Sequence, residues 1–135
     1  MHPSYYGAAV TAAPDVRRTS AACTSFLRGA ADAEWTAPVP ELDFTVVGVI
    51  AHAAECCLWY AIDLAAGGVD LKAIEHRVRT DGPADVVPRG VVDTFETYAG
   101  IVAAVVDASP PTARGFHPRA PPTRRGSRRW HATRC

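Results

Sequence analysis

Nearly every residue from Val46 to Leu64 is apolar, and no other feature of the chain limits the fold so strongly. Thr45 stands just before the run with a hydroxyl able to accept from the first-turn amides, as an N-cap does. Phe44 precedes it, placed to fold back on the first turn as a hydrophobic staple. Gly67-Gly68 follows Ala65-Ala66 and supplies the left-handed backbone that ends a helix. A helix that is apolar on most faces is a central, buried one, so the remaining elements must wrap it. A membrane-spanning helix needs about 20 apolar residues with few charges. His52 and Glu55 interrupt this run at its middle, which points to a core helix and no membrane span.

Two more helices are legible around it. Pro14-Asp15 opens the first, with proline in the first turn and an acid at the positive end of the helix dipole. Val16, Cys23, Phe26, Leu27 and Ala30 form its apolar stripe. The helix fades near Ala33-Glu34, and Trp35-Thr36-Ala37-Pro38-Val39-Pro40 is a connection that two prolines keep from being helical. Leu71 to Arg79 reads as a short extended or helical link, and Asp81-Gly82-Pro83 as a turn. The third helix spans about Ala84 to Asp107, with Val91, Val92, Phe95, Tyr98, Ile101, Val102, Val105 and Val106 at helical spacing. Pro88 falls in its first turn, and Ser109-Pro110-Pro111 closes it. The fold class is therefore all-α: a bundle of three helices, whose exposed apolar flank calls for a fourth and otherwise favours self-association.

Three segments follow. Residues 1–13 are a lead-in, 14–118 the helical domain, and 119–135 a tail of different character. The chain has 14 basic and 14 acidic side chains, but residues 119–135 hold six of the basic ones and none of the acidic. The rest therefore carries a net charge of −6. The tail has Pro121-Pro122 and almost no apolar periodicity, so it reads as a disordered basic segment. Met1-His2-Pro3-Ser4-Tyr5-Tyr6 lacks the basic-then-apolar pattern of a signal peptide, and a cytoplasmic location follows by default. Cys23, Cys56, Cys57 and Cys135 form no C-x-x-C pair and read as small buried thiols.

His52 is the residue that draws chemistry. An imidazole in the middle of a buried helix needs a hydrogen-bonding neighbour or a metal. Glu55 at i+3 and Cys56 at i+4 share its face, so a local pair of ligands is geometrically accessible. The competing reading is a structural histidine satisfied inside the core. Glu75 and His76 read as a solvated stretch, and Asp93 and Glu96 as a solvent-facing pair. No phosphate loop, nucleophile elbow or zinc-knuckle spacing is present.

The string Leu42-Asp43-Phe44-Thr45-Val46-Val47-Gly48-Val49-Ile50-Ala51-His52 resembles the start of the second helix in the DinB/YfiT-like metalloprotein superfamily. It looks most like the metal-binding domain of the mycothiol-dependent maleylpyruvate isomerases, whose members commonly read L-D-W-T-V-x-D-V-x-A-H. Cys57-Leu58-Trp59-Tyr60-Ala61, Trp35 to Pro40 and Ala113-Arg114-Gly115-Phe116-His117-Pro118 fit the same pattern, so the resemblance runs from Asp15 to Pro118. Gly48 departs from it, standing where the family has a polar residue. The resemblance implies a four-helix bundle holding one divalent metal, zinc or nickel, on three side chains. It also implies a low-molecular-weight thiol partner such as mycothiol, and isomerase or S-transferase activity. His52 occupies the first ligand position. The other ligands come from a fourth-helix motif like D-E-x-x-x-H, which this chain lacks.

The family continues after G-F-H-P with a stretch like G-S-A-D-P-S-G-F-A-A-M-A-C-D-E-V-L. Back-translation of Arg119 to Cys135 with GC-rich synonymous codons, read from the third base of the Arg119 codon, yields that same string. The synonymous bases are free to choose, but the fixed ones are not, and every position is compatible. A slip of one frame near Pro118-Arg119 accounts for the charge break, the lost periodicity and the early stop. The expected protein is an incomplete DinB-like bundle, inactive and weak in metal binding. The alternative is a binding module whose Arg119–Arg134 segment, with Trp130 and His131 for stacking, contacts nucleic acid. The acidic body argues against it.

Overall fold

A computed structural model describes residues 12–69, 71, 75–116 and 129–131. Three helices carry the fold: α1 (Ala12–Gly29), α2 (Val46–Ala65) and α3 (Val87–Ala108). Two three-residue strands, β1 (Arg114–Phe116) and β2 (Arg129–His131), pair antiparallel with Gly115 opposite Trp130. The chain is thus mainly helical, as expected. The tail expected to be disordered falls mostly outside the described residues, and within it Arg129–His131 is paired as β2.

The entry into α2 follows from the connection before it. The first amides of a helix have no partner within it. Here the Val46 N–H donates to Ala37 C=O at 3.0 Å and the Val47 N–H to Trp35 C=O at 2.9 Å. Thr45 Oγ1 accepts from the Gly48 N–H at 3.2 Å. The 38–45 loop closes on itself through Val39 N–H to Phe44 C=O at 2.9 Å. Glu41, at its tip, has φ 66°, a left-handed backbone that disfavours a side chain. Glu41→Gly is expected to raise stability by up to about 1 kcal/mol, read as a shift of the urea midpoint at constant m-value. At the far end of α2, Gly67 and Gly68 take φ values of 65° and 89°, as their position requires.

Three expectations need correction. The helix that both others pack along is α3, although α2 is the more covered of the two, with His52 and Ala65 its exposed residues: α1 and α2 each pack along α3, and among the described residues they do not pack on each other. The residues that allow this on α3 are small. Ala99 and Ala103 are buried, beside Val91, Val92 and Val102, and alanines let two helix backbones approach closely. On α2 Val47, Ala51, Ala54, Glu55, Ala61, Asp63 and Leu64 are buried, and the rest are half-buried apart from the exposed His52 and Ala65. The stretch from Cys56 to Tyr60 is half-buried. By length and composition α2 is also long enough to cross a membrane, so apolarity alone does not exclude a span. Its packed face against α3 and its buried Glu55 and Asp63 fit a core helix.

The second correction is the phase of α1. Ala13 and Thr24 are buried and Leu27 is half-buried, spaced i, i+11 and i+14 on one face of the helix. Cys23 is exposed and Phe26 is 75% exposed, off the core. The third is the start of α3, at Val87 rather than near Ala84. Pro88 sits in the first turn, where its missing N–H is no loss, and the Val87 N–H instead closes a turn onto Pro83 C=O at 3.0 Å.

The main core joins Trp35, Val47, Ala51, Val91 and Val92, with Leu27, Ile50, Val78 and Val87 packed against it. Trp35 comes from a connection, not a helix. It is 5% exposed, and its indole N–H donates to Ala30 C=O at 2.9 Å. On the outer side of α1, Arg28 reaches α3 and binds Asp93 at 2.9 Å and Glu96 at 2.6 Å. The hydrogen bond to Asp93, then that to Glu96, holds the guanidinium above its ordinary pKa. Asp93 and Glu96 are exposed, as the sequence suggests, but they are paired across helices.

Candidate metal centre

His52 stands on the outer face of α2. Its side chain is 58% exposed, so the reading of a core histidine in need of an internal partner does not hold. His52 and Ala65 are the exposed residues of an otherwise buried or half-buried helix. The ring is nonetheless held. Phe44 folds back over the first turn of α2 and stacks on it with centroids 5.6 Å apart and planes 22° off parallel. Gly48 gives Phe44 that room, since a Cβ there would meet Phe44 Cδ1 and Thr45 Oγ1 at 3.3 Å. The departure from the family pattern at Gly48 leaves the cap intact, because Thr45 still accepts from the Gly48 N–H.

The i+3 and i+4 spacing brings its residues together. Cys56 Sγ lies 3.6 Å from His52 Nε2, and Glu55 Oε2 lies 3.7 Å from His52 Nδ1. The two partners are on opposite nitrogens of one ring. A single ion on Nε2 can reach the Cys56 sulfur but not the Glu55 carboxylate. Glu55 is also committed elsewhere. It is buried, its Oε1 accepts from the Val78 N–H at 2.8 Å, and Oε2 lies 3.8 Å from Arg77 Nη1. Among the described residues no group of three or more His, Cys, Asp or Glu side chains converges as a metal site. The described residues therefore do not fit a three-donor divalent centre.

Glu55 was read only as a neighbour of His52, and its bond to Val78 was missed. That bond ties the 75–80 link to α2. Removing one partner of a buried charged hydrogen bond costs about 1–3 kcal/mol. Glu55→Ala is expected to lose about 2 kcal/mol in urea unfolding, while Glu55→Gln, whose amide oxygen still accepts from Val78, loses less than half of that.

The other sequence candidates lie apart from His52. Glu75 is exposed. His76 is not a solvated side chain: its ring packs edge-on against Tyr98 at 5.3 Å and 60°, and its Nε2 is buried with no hydrogen-bond partner among the described residues. Cys23, Cys56 and Cys57 form no disulfide; Cys135 lies outside the described residues. Cys23 is exposed rather than buried. Asp63, which the sequence did not single out, is buried on α2. Compared with protein-family models, with curated proteins and with solved structures, the chain gives no match.

Proposed function

We propose that this chain comprises three helices of a DinB-like four-helix bundle. The bundle is the metal-binding domain of a mycothiol-dependent isomerase or S-transferase type of protein, and a one-frame slip near Pro118 has displaced its fourth helix. The observation that carries this reading is the open arrangement of the helices. With α1 and α2 each packed on α3 and not on each other, the corner opposite α3 is where a fourth helix closes a bundle. Phe26, exposed on α1, and the half-buried Cys56–Tyr60 stretch of α2 give such a helix an apolar surface to cover. The compatibility of Arg119–Cys135 with the family's continuation in a shifted frame supports the same reading, as does the family-like string ending at His52.

In the intact family the metal lowers the pKa of a bound thiol and makes it a nucleophile. In this chain His52 is the only residue at a family ligand position, and catalytic zinc sites use about three protein ligands. The chain is therefore inactive as an isomerase or transferase and binds zinc or nickel weakly. Equilibrium dialysis with elemental analysis tests this. One tightly held metal per chain, lost in His52→Ala but retained in Cys56→Ser, overturns it.

The uncovered apolar surface gives a second expectation. Exposed apolar patches drive association, so sedimentation should show concentration-dependent self-association that Phe26→Ser reduces. A strictly monomeric chain over the same range contradicts an open bundle.

A further inference from the structure

We infer that His52 and Cys56 form a two-donor site of their own for a soft or borderline divalent cation of the zinc kind, built on the surface of α2 and independent of any fourth helix. The separation of the donors is the first argument. In a tetrahedral zinc site the metal–sulfur bond is about 2.3 Å and the metal–imidazole bond about 2.0–2.1 Å, which sets sulfur and nitrogen about 3.5 Å apart. His52 Nε2 and Cys56 Sγ are 3.6 Å apart, already at that bite before any ion arrives.

The surroundings supply the second argument. A ligating histidine ordinarily turns its other ring nitrogen toward a carboxylate, which fixes the tautomer and leaves the ligating nitrogen unprotonated. Glu55 Oε2 stands 3.7 Å from Nδ1, on the side away from Cys56. Glu55 is itself anchored by the Val78 N–H, so its carboxylate stays on the Nδ1 side of the ring while the Nε2 edge faces the thiol. Phe44, stacked on the ring, limits its rotation. The exposure of His52 leaves the remaining coordination positions to water. When the ion binds, a metal–sulfur bond forms, the Cys56 S–H bond breaks, and one proton passes to solvent.

The site rests on the α2 surface alone, so it stands whichever way the reading frame after Pro118 is resolved, and the two can fail separately. Cobalt(II) titration of the full chain tests it, because a cobalt–thiolate bond adds a sulfur-to-metal charge-transfer band. The band should appear with one equivalent bound and be displaced by zinc. Cys56→Ser should abolish it, His52→Ala should weaken binding about tenfold or more, and Cys23→Ser, Cys57→Ser and Cys135→Ser should leave it in place. Circular dichroism of each variant confirms that α2 is retained, and Cys56→Ala serves if Cys56→Ser does not fold. No band at saturating cobalt, or a band that survives loss of Cys56, overturns the assignment.

Discussion

Replacing Trp35 with alanine should unfold a large part of the population. The side chain is buried at the meeting point of all three helices, against Val47, Ala51, Val91 and Val92. Truncating a buried aromatic costs about 3–5 kcal/mol, and a domain of this size has about 5–15 kcal/mol in total. The open corner of the bundle places this chain toward the low end. The backbone adds to the effect: Trp35 C=O accepts from the Val47 N–H at 2.9 Å, so disorder at this position also loosens the start of α2. Trp35→Phe keeps most of the ring's contacts and loses the indole hydrogen bond to Ala30, a difference of about 1 kcal/mol plus some lost volume. Urea unfolding followed by the helical circular dichroism signal checks both. A Trp35→Ala chain within about 1 kcal/mol of the parent would mean that the 35–40 connection is not part of the core.

Restoring the shifted frame after Pro118 should have the largest effect on metal affinity. A chain that gains a fourth helix with a D-E-x-x-x-H motif moves from one family ligand to three. Zinc or nickel affinity should then rise by at least about 1000-fold, or about 4 kcal/mol. In that restored chain His52→Ala should remove the gain, whereas Cys56→Ser should not, because Cys56 is not at a family ligand position. The melting temperature should rise as well, since a fourth helix docked on the bundle would bury further apolar surface. An unchanged affinity would show that His52 is not a ligand position.

The parts of the fold that were legible in the sequence are those decided locally. The ends of α2 follow from Thr45 and Gly67-Gly68, which act on the backbone beside them whatever the rest of the chain does. The His52–Glu55–Cys56 grouping was legible for the same reason, because i+3 and i+4 spacing fixes neighbours on any helix. What could not be read was which face meets which helix. Apolar residue type marked Phe26 as core and α2 as the helix the others wrap; α2 is well covered, but Phe26 is exposed, and it is α3, with the buried Ala99 and Ala103, that packs on both neighbours. Small residues give a weak apolar signal and a strong packing effect. Trp35 was passed over because it lies in a proline-bounded connection, although a tryptophan there already hinted at a loop that folds inward. His52 was placed in the core with its helix, when it is one of the two exposed positions on that helix.

The coding DNA across the Pro118–Arg119 junction, read onward past Cys135, is the most direct test of the central claim. The account predicts that the shifted frame stays open and completes D-E-x-x-x-H, which makes this chain the first three helices of a metal-binding bundle. A shifted frame that is closed or unrelated contradicts it. The arginine-rich segment would then be genuine, and salt-dependent nucleic-acid binding, lost on deletion of residues 119–135, would be the property to measure next.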